Sequence, residues 1–229
     1  MINKIYPTVA AALADVRDGA SIMVGGFGAA GLPVALVDGL IAQGASGLTI
    51  IANNAGNGET GIAALLKAGR VKKLICSFPR QPDSYMFDAL YRAGKVQLEL
   101  VPQGNLAERM RAAGAGIGGF FTRVGFGTPL AEGKEVREID GEMYVYETPI
   151  HADFALVKAE QGDRWGNLTY NKSARNFGPV MAMAAKLTVA SVREVVALGE
   201  LDPEHVVTPG IFVQRVVQVP GEAAERAGS

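Results

Sequence analysis

The feature that most constrains this chain is an alternation repeated through its first half: a short apolar run, then a stretch of helical period closed by glycine. The runs at 21–24, 48–52, 71–77 and 96–101 are rich in Val, Ile and Leu and read as buried strands. Helices are predicted near 8–16, 33–43, 60–68, 83–93 and 104–113. Thr8 is placed to cap the first of them, Pro33 falls in a first turn, and Gly44, Gly69, Gly94 and Gly114 act as stops. Strands separated by whole helices need crossover connections, so their sheet is parallel and covered by helices on both faces.

The second half changes character. Residues 113–128 form a glycine-rich stretch, long for a connection and therefore expected to be functional, and the Phe120-Phe121 pair favours an ordered loop. Strand-like runs follow near 136–140, 143–147 and 154–158, with Asp140-Gly141 suited to a hairpin turn. A helix near 177–186 and strands near 187–191, 194–198 and 211–219 complete the pattern. The expected fold is one α/β domain over residues 1–229, a largely parallel sheet with a small antiparallel region. The polar tail at 221–229 is expected to fray.

Composition narrows the function. Lys and Arg number 22 against 23 Asp and Glu, so there is no basic excess to suit a nucleic acid. Cys76 is the only cysteine, so no internal disulfide can form, which suits a reducing cytoplasm. Residues 19–37 carry no charge and approach the length of a membrane span. Gly25, Gly26, Gly28, Gly31 and Pro33 break them, however, and a strand, a loop and a helix start fit better. A soluble protein without membrane contact is expected. His151 and His205 stand apart from the cysteine at no metal-ligand spacing, so no metal site is expected.

Gly26-Phe27-Gly28-Ala29-Ala30-Gly31 follows a predicted strand and opens a predicted helix, the context of a dinucleotide fingerprint. That fingerprint also requires an acid at the end of the second strand, to take the ribose hydroxyls. Here that strand ends Ile51-Ala52-Asn53-Asn54, which argues against a nicotinamide site. From the residues alone, two readings stay open: a tight turn with no ligand, or a loop whose free N–H groups meet an anion or oxyanion.

A longer match narrows them. Asp18-Gly-Ala-Ser-Ile-Met-Val-Gly-Gly-Phe-Gly-Ala-Ala-Gly-Leu-Pro33 resembles the first signature of the family I CoA-transferases. Further segments resemble that family from about residue 3 to 219. They are Ala52-Asn-Asn-Ala-Gly56, Val101-Pro-Gln-Gly-Asn-Leu-Ala-Glu-Arg109, Ala113–Thr128 (its Gly-Phe-Phe-Thr loop), Asp153-Phe-Ala-Leu-Val-Lys-Ala159 and Lys172-Ser-Ala-Arg-Asn-Phe177. The resemblance implies a CoA-transferase fold. It also implies that Gly25, Gly26, Phe27, Gly28, Ala29, Ala30 and Gly31 lie against CoA or its thioester. Asn53, Asn54 and Gln103 would lie near the acid substrate. Each follows a predicted strand, and neutral amides can hold a carboxylate or oxyanion without quenching an anionic nucleophile. Their alternative role is to cap turns and helix ends.

The family's exchange is ping-pong, through an acyl-glutamyl anhydride and a glutamyl-CoA thioester. Its glutamate lies in a Ser-Glu-x-Gly segment of a B subunit, and no such segment occurs here. Glu59, the nearest imitation, is better explained as a helix-start carboxylate. The resemblance therefore implies an A subunit with no catalytic residue of its own, inactive alone and paired with a B subunit in an AB or A2B2 assembly. CoA and succinyl-CoA would be substrates, with no permanently bound cofactor.

Cys76-Ser-Phe-Pro-Arg-Gln-Pro-Asp-Ser-Tyr85, His151-Ala-Asp-Phe154 and Gly162-Asp-Arg-Trp-Gly-Asn167 resemble the 3-oxoadipate branch, which serves aromatic-compound degradation. A dicarboxylic oxo acid needs a cation for its remote carboxylate. Arg80, just past a strand end, is the candidate, with Lys172 and Arg175 as alternatives. Trp165 and the Phe120-Phe121 pair are expected in packing or at an interface. The competing functions are an acetate or acetoacetate transferase, a phosphosugar isomerase with a similar glycine loop, and a non-catalytic ligand-binding module.

Overall fold

The structure, a computed structural model, describes residues 2–220, so the tail expected to fray lies outside the described residues. After β1 (Ile5–Tyr6), the first half alternates as expected: α1 (Val9–Leu13), β2 (Ser21–Val24), α2 (Val34–Gln43), β3 (Leu48–Ile51), α3 (Ile62–Lys67), β4 (Val71–Cys76), α4 (Tyr85–Arg92), β5 (Gln97–Leu100) and α5 (Gln103–Gly114). The second half adds β6 (Phe120–Thr122), β7 (Val136–Ile139), β8 (Glu142–Glu147), β9 (Ala152–Gly162), β10 (Leu168–Thr169), α6 (Gly178–Ala184), β11 (Ala185–Val195) and β12 (Arg215–Gln218).

The main sheet runs β1-β12-β11-β9-β2-β3-β4-β5 with every neighbouring pair parallel, and β10 adds antiparallel to β9. Successive residues of a strand point to opposite faces, so each strand feeds two cores. Ile22, Val24, Leu48, Ile50, Leu74, Phe154 and Leu156 pack under α1 to α4 with Leu13, Leu36, Leu40, Leu65 and Phe87. Met23, Ile51, Ile75, Ala155 and Val157 face the other way, against Leu106 and Met110 of α5 and Met181 of α6. Each large aliphatic side chain so buried contributes roughly 1.5–3 kcal/mol of transfer free energy. Both faces are therefore covered, as a parallel sheet requires.

Several boundaries moved for local reasons. Thr8 does cap α1, accepting from Ala11 N at 3.1 Å, but that helix ends at Leu13. Gly114 is not a stop. It is the last residue of α5, where a Cβ would fall 2.5 Å from Met183 Cβ of α6. The stop is Gly116, with a left-handed φ of +70°. Its N–H bonds Ala113 O at 3.2 Å and Ile117 N bonds Ala112 O at 2.9 Å, a Schellman closure.

The strands expected at 187–191 and 194–198 merge into one strand, β11, which ends at Val195. Arg193, in the gap between them, pairs with Glu160 of β9, and Glu194 Oε2 accepts from Gln161. The expected strand at 211–219 begins as a 3-10 turn, Gly210–Phe212, and only Arg215–Gln218 pair in the sheet. The short β1, β6 and β10 went unpredicted, being too brief to show a period.

The antiparallel region is a separate three-stranded sheet, β6-β8-β7, with Asp140 and Gly141 both at positive φ in the β7–β8 hairpin. Phe121 of β6 lies against Tyr146, and Arg137 sits 4.5 Å above its ring. No helix of the described residues is long and apolar enough to cross a membrane.

Candidate functional site

From the β2–β9 boundary the connections run outward in both directions, through β3, β4 and β5 on one side and β11 and β12 on the other. This is a topological switch point, and open α/β sheets bind ligands beyond the carboxyl ends of the strands there. The glycine loop leaves β2 at this crevice. Gly25 N donates to Leu156 O of β9 at 2.9 Å, and Phe27 N closes a tight turn on Ala30 O at 3.0 Å. Gly31 has φ +73°, and a Cβ there would collide with the Ala174 carbonyl, so only glycine fits.

The loop's shape depends on Asn176, at the end of the 3-10 turn Lys172–Arg175. Its Oδ1 accepts from Gly26 N at 3.2 Å and its Nδ2 donates to Ala30 O at 2.9 Å. Sequence reasoning assigned this residue no role. Its only signal was a place in the Lys172–Phe177 motif, because its partners lie 150 and 146 residues away.

The amides cluster beside the loop. Asn53 and Asn54 follow β3, and Gln103 opens α5 just past β5. Asn53 is 3% exposed, and Gln103 Nε2 donates to its Oδ1 at 2.6 Å, bridging across the end of β4. The Asn53 carbonyl is held in turn by Ser77 N at 3.1 Å and Phe78 N at 3.0 Å. With its Oδ1 engaged, Asn53 has its Nδ2 as the donor left for a ligand. Asn54 Oδ1 accepts from Gly56 N at 2.8 Å, so this amide shapes its own turn as well. Gly28, Ala29, Asn54, Asn57, Thr60 and Gln81 line a cleft of about 110 Å³, and every lining residue is uncharged. Gly28 and Ala29 of the loop thus share this neutral cleft with Asn54, whereas Asn53 and Gln103 are not among its lining residues.

The charged candidates stand outside that lining. Arg80 Nε donates to Asp88 Oδ1 at 2.6 Å, and the arginine is 59% exposed. Glu59 pairs with Lys67 at 2.8 Å on the surface, and that hydrogen bond holds its pKa below the usual carboxylate range. Lys172 and Arg175 lie on the turn that clasps the loop, Lys172 exposed at its start. Cys76 is fully buried, and burial pushes its thiol up to about 12, so it offers no nucleophile. His151 is exposed, and His205 pairs with Asp202 on the surface. Among the described residues no group of His, Cys, Asp and Glu could hold a metal ion. Trp165 is exposed on a turn whose N–H groups bond the buried Asp163.

A further cluster escaped sequence reasoning. Glu147, at the end of β8, is only 2% exposed. It takes hydrogen bonds from Lys134 Nζ at 2.7 Å and Asn105 Nδ2 at 3.1 Å, with Arg109 Nε at 3.7 Å. Arg109 also donates to Thr148 O at 2.7 Å and to Glu99 at 3.3 Å, and Lys73 reaches Glu99 at 2.6 Å. Burial works to raise the Glu99 pKa, but Lys73 and Arg109 outweigh it and hold the carboxyl below its ordinary value. These contacts clamp the small sheet to α5, the helix that begins with Gln103.

Comparison with known proteins places the chain. The family profile described as Coenzyme A transferase matches residues 6–219. The A subunit of the 3-oxoadipate CoA-transferase of Pseudomonas putida is 70% identical over 224 residues, covering 98% of this chain and 97% of that protein. The equivalent subunit from Acinetobacter baylyi is 65% identical over 227 residues, covering 99% and 100%. The crystal structure of an acyl-CoA transferase apoenzyme from Escherichia coli O157:H7 superposes with a TM-score of 0.87 at 24% identity. That match covers 100% of this chain and 49% of the other, so this chain spans about half the length of that solved transferase. At this identity the likeness is one of fold.

Proposed function

The chain belongs to the coenzyme A transferase family, and on that premise we propose that it is the A subunit of an enzyme exchanging CoA between succinyl-CoA and 3-oxoadipate. The observation that carries this reading is the neutral cleft that the glycine loop and Asn54 line together at the switch point. Such a site binds and polarises, yet the sequence holds no Ser-Glu-x-Gly nucleophile segment to go with it. The two A-type relatives, matched nearly end to end, support the same division of labour.

In this mechanism the succinyl thioester carbonyl is attacked by a glutamate carboxylate of the B subunit. The tetrahedral oxyanion collapses, expelling CoA thiolate and leaving a mixed anhydride. The thiolate then attacks the glutamyl carbonyl, releasing succinate and forming the glutamyl thioester. The carboxylate of 3-oxoadipate repeats the sequence in reverse and leaves as its CoA thioester. This chain's part is electrostatic. Loop N–H groups and amide donors meet the developing oxyanions, and being uncharged they do not pair with the attacking glutamate.

The remote carboxylate of 3-oxoadipate falls to Arg80. Its bond to Asp88 is an exposed ion pair, worth about 0–1 kcal/mol, and is readily exchanged for a substrate carboxylate. The working assembly is AB or A2B2. Co-expression with the B subunit, assayed for transfer from succinyl-CoA to 3-oxoadipate and to acetoacetate, tests the reading. Activity in the pair only, with 3-oxoadipate preferred, is expected. Turnover by this chain alone, or preference for acetoacetate, refutes it.

A further inference from the structure

The polar side chains that line the neutral cleft are Asn54, Asn57, Thr60 and Gln81; the rest of its lining is glycine or apolar. Three of them have their surroundings accounted for. Asn54, 7% exposed, holds Gly56 N through its Oδ1. The Asn57 amide meets Ser84 Oγ at 3.2 Å, and Thr60 is open to solvent. Gln81 is the exception. It is half-buried, yet its Nε2 donates no hydrogen bond among the described residues.

The backbone that carries this amide is fixed. Gln81 N donates to Ser84 Oγ at 3.0 Å, and its carbonyl accepts from Ser84 N at 3.1 Å. Ser84, 4% exposed, donates in turn to Gly56 O at 3.0 Å, and Gly58 N donates to Asp83 O at 3.0 Å. These bonds tie the segment after β4 to the segment after β3. A half-buried donor left without a partner on so firmly held a wall is arranged for a ligand, since preorganised donors need no rearrangement when an acceptor arrives.

Size and charge narrow that ligand. A cleft of about 110 Å³ equals the share of about four waters, which suits a short acyl chain. With no cation in the lining, a neutral acceptor loses less on entering than a carboxylate does. We propose that Gln81 is a specificity-determining residue whose Nε2 donates to the ketone oxygen of the 3-oxo acid. The ketone lies one methylene from the reacting carboxyl, which sits deeper, at the buried Asn54. Arg80, next to Gln81 in the chain but outside the lining, is left for the remote carboxylate. This rests on the proposed transferase function and deepens it: the cleft selects acids by their oxo group.

The test uses the enzyme assembled with its B subunit and compares two acceptor acids, 3-oxoadipate and adipate, which differ only in the ketone. The wild type is expected to prefer 3-oxoadipate, because a site that hydrogen-bonds a substrate group discriminates against the analogue lacking it. Gln81→Ala is expected to lower kcat/KM for 3-oxoadipate about tenfold, the upper worth of one neutral hydrogen bond, and to leave that for adipate unchanged. Gln81→Glu keeps the side-chain length but sets an acceptor against the ketone oxygen, so it is expected to lose more than alanine does with 3-oxoadipate. Tm should stay at the wild-type value in Gln81→Ala, because no donated bond is removed.

An unchanged preference in Gln81→Ala overturns the inference. So does an equal loss with both acids, which would mark a structural effect on the wall, or Gln81→Glu that works as well as wild type. A wild-type pair that uses both acids equally refutes the oxo-group reading alone. A wild-type pair that transfers CoA to neither refutes the underlying function as well.

Discussion

Replacing Gln103 with alanine probes the site through a single bond. Gln103 Nε2 donates to Asn53 Oδ1 at 2.6 Å, and Asn53 is buried. The substitution leaves that oxygen without its partner, which costs about 1–3 kcal/mol. For a domain of this size each kcal/mol lowers Tm by roughly 2–4 °C, so a fall of about 2–12 °C is expected. The catalytic loss has a separate origin. Removing one preorganised donor to an oxyanion typically costs about 10²–10³ in kcat. Here the Asn53 donor is unfixed rather than deleted, so a loss of about 10–100-fold in kcat is expected. The assay is succinyl-CoA to 3-oxoadipate transfer by the assembled enzyme, with thermal unfolding alongside. Asn53→Ala and the double variant complete a cycle. If Gln103 acts by orienting Asn53, the second substitution adds little to the first. Losses in kcat that multiply, or a Gln103→Ala effect under about threefold, would refute the argument that the two amides act as one unit.

Other expectations follow from the same geometry. Glu147→Ala leaves Lys134 without its acceptor and Asn105 Nδ2 with only Val124 O at 3.3 Å, while Arg109 keeps Thr148 and Glu99. The cost is expected at the lower end of about 3–5 kcal/mol by urea unfolding, and a value under about 1 kcal/mol would show that the clamp is dispensable. Asp153 accepts from Ser21 N at 3.0 Å and Ser21 Oγ at 2.8 Å and pairs with Lys186, and these contacts, led by the Ser21 backbone bond, lower its pKa from 3.8 to about 2. A depressed carboxylate stabilises fully above its unfolded pKa and loses that contribution as pH falls through the folded value. Asp153→Asn should therefore be less stable than wild type at pH 7 and converge with it near pH 2. Because the carboxylate is 41% exposed and screened, a difference of only about 1 kcal/mol is expected; a gap that persists at low pH would contradict the assignment. Arg80→Ala should raise the KM for 3-oxoadipate several-fold with little change in Tm, and an unmoved KM would leave Arg80 to its pair with Asp88.

The sequence by itself determined the parallel α/β architecture, the order of its elements from α1 through α5 and the location of the glycine loop. These depend on local periodicity and on turn residues such as Gly44, whose φ of +100° closes α2. It also put Asn53, Asn54 and Gln103 at strand ends, because a residue following a buried run must emerge at the edge of the sheet. Local pattern misled where polarity served pairing across strands, as with Arg193, and where glycine served close packing, as with Gly114 against Met183. Only the tertiary structure decided that Asn176 clasps the loop, that Glu147 ties the small sheet to the helix of Gln103, and that Gln103 orients Asn53. Each of these contacts joins residues from 42 to 150 positions apart. Hydrogen bonds between such distant residues leave no period in the chain; they exist only once parallel pairing has brought the carboxyl ends of its strands to one edge.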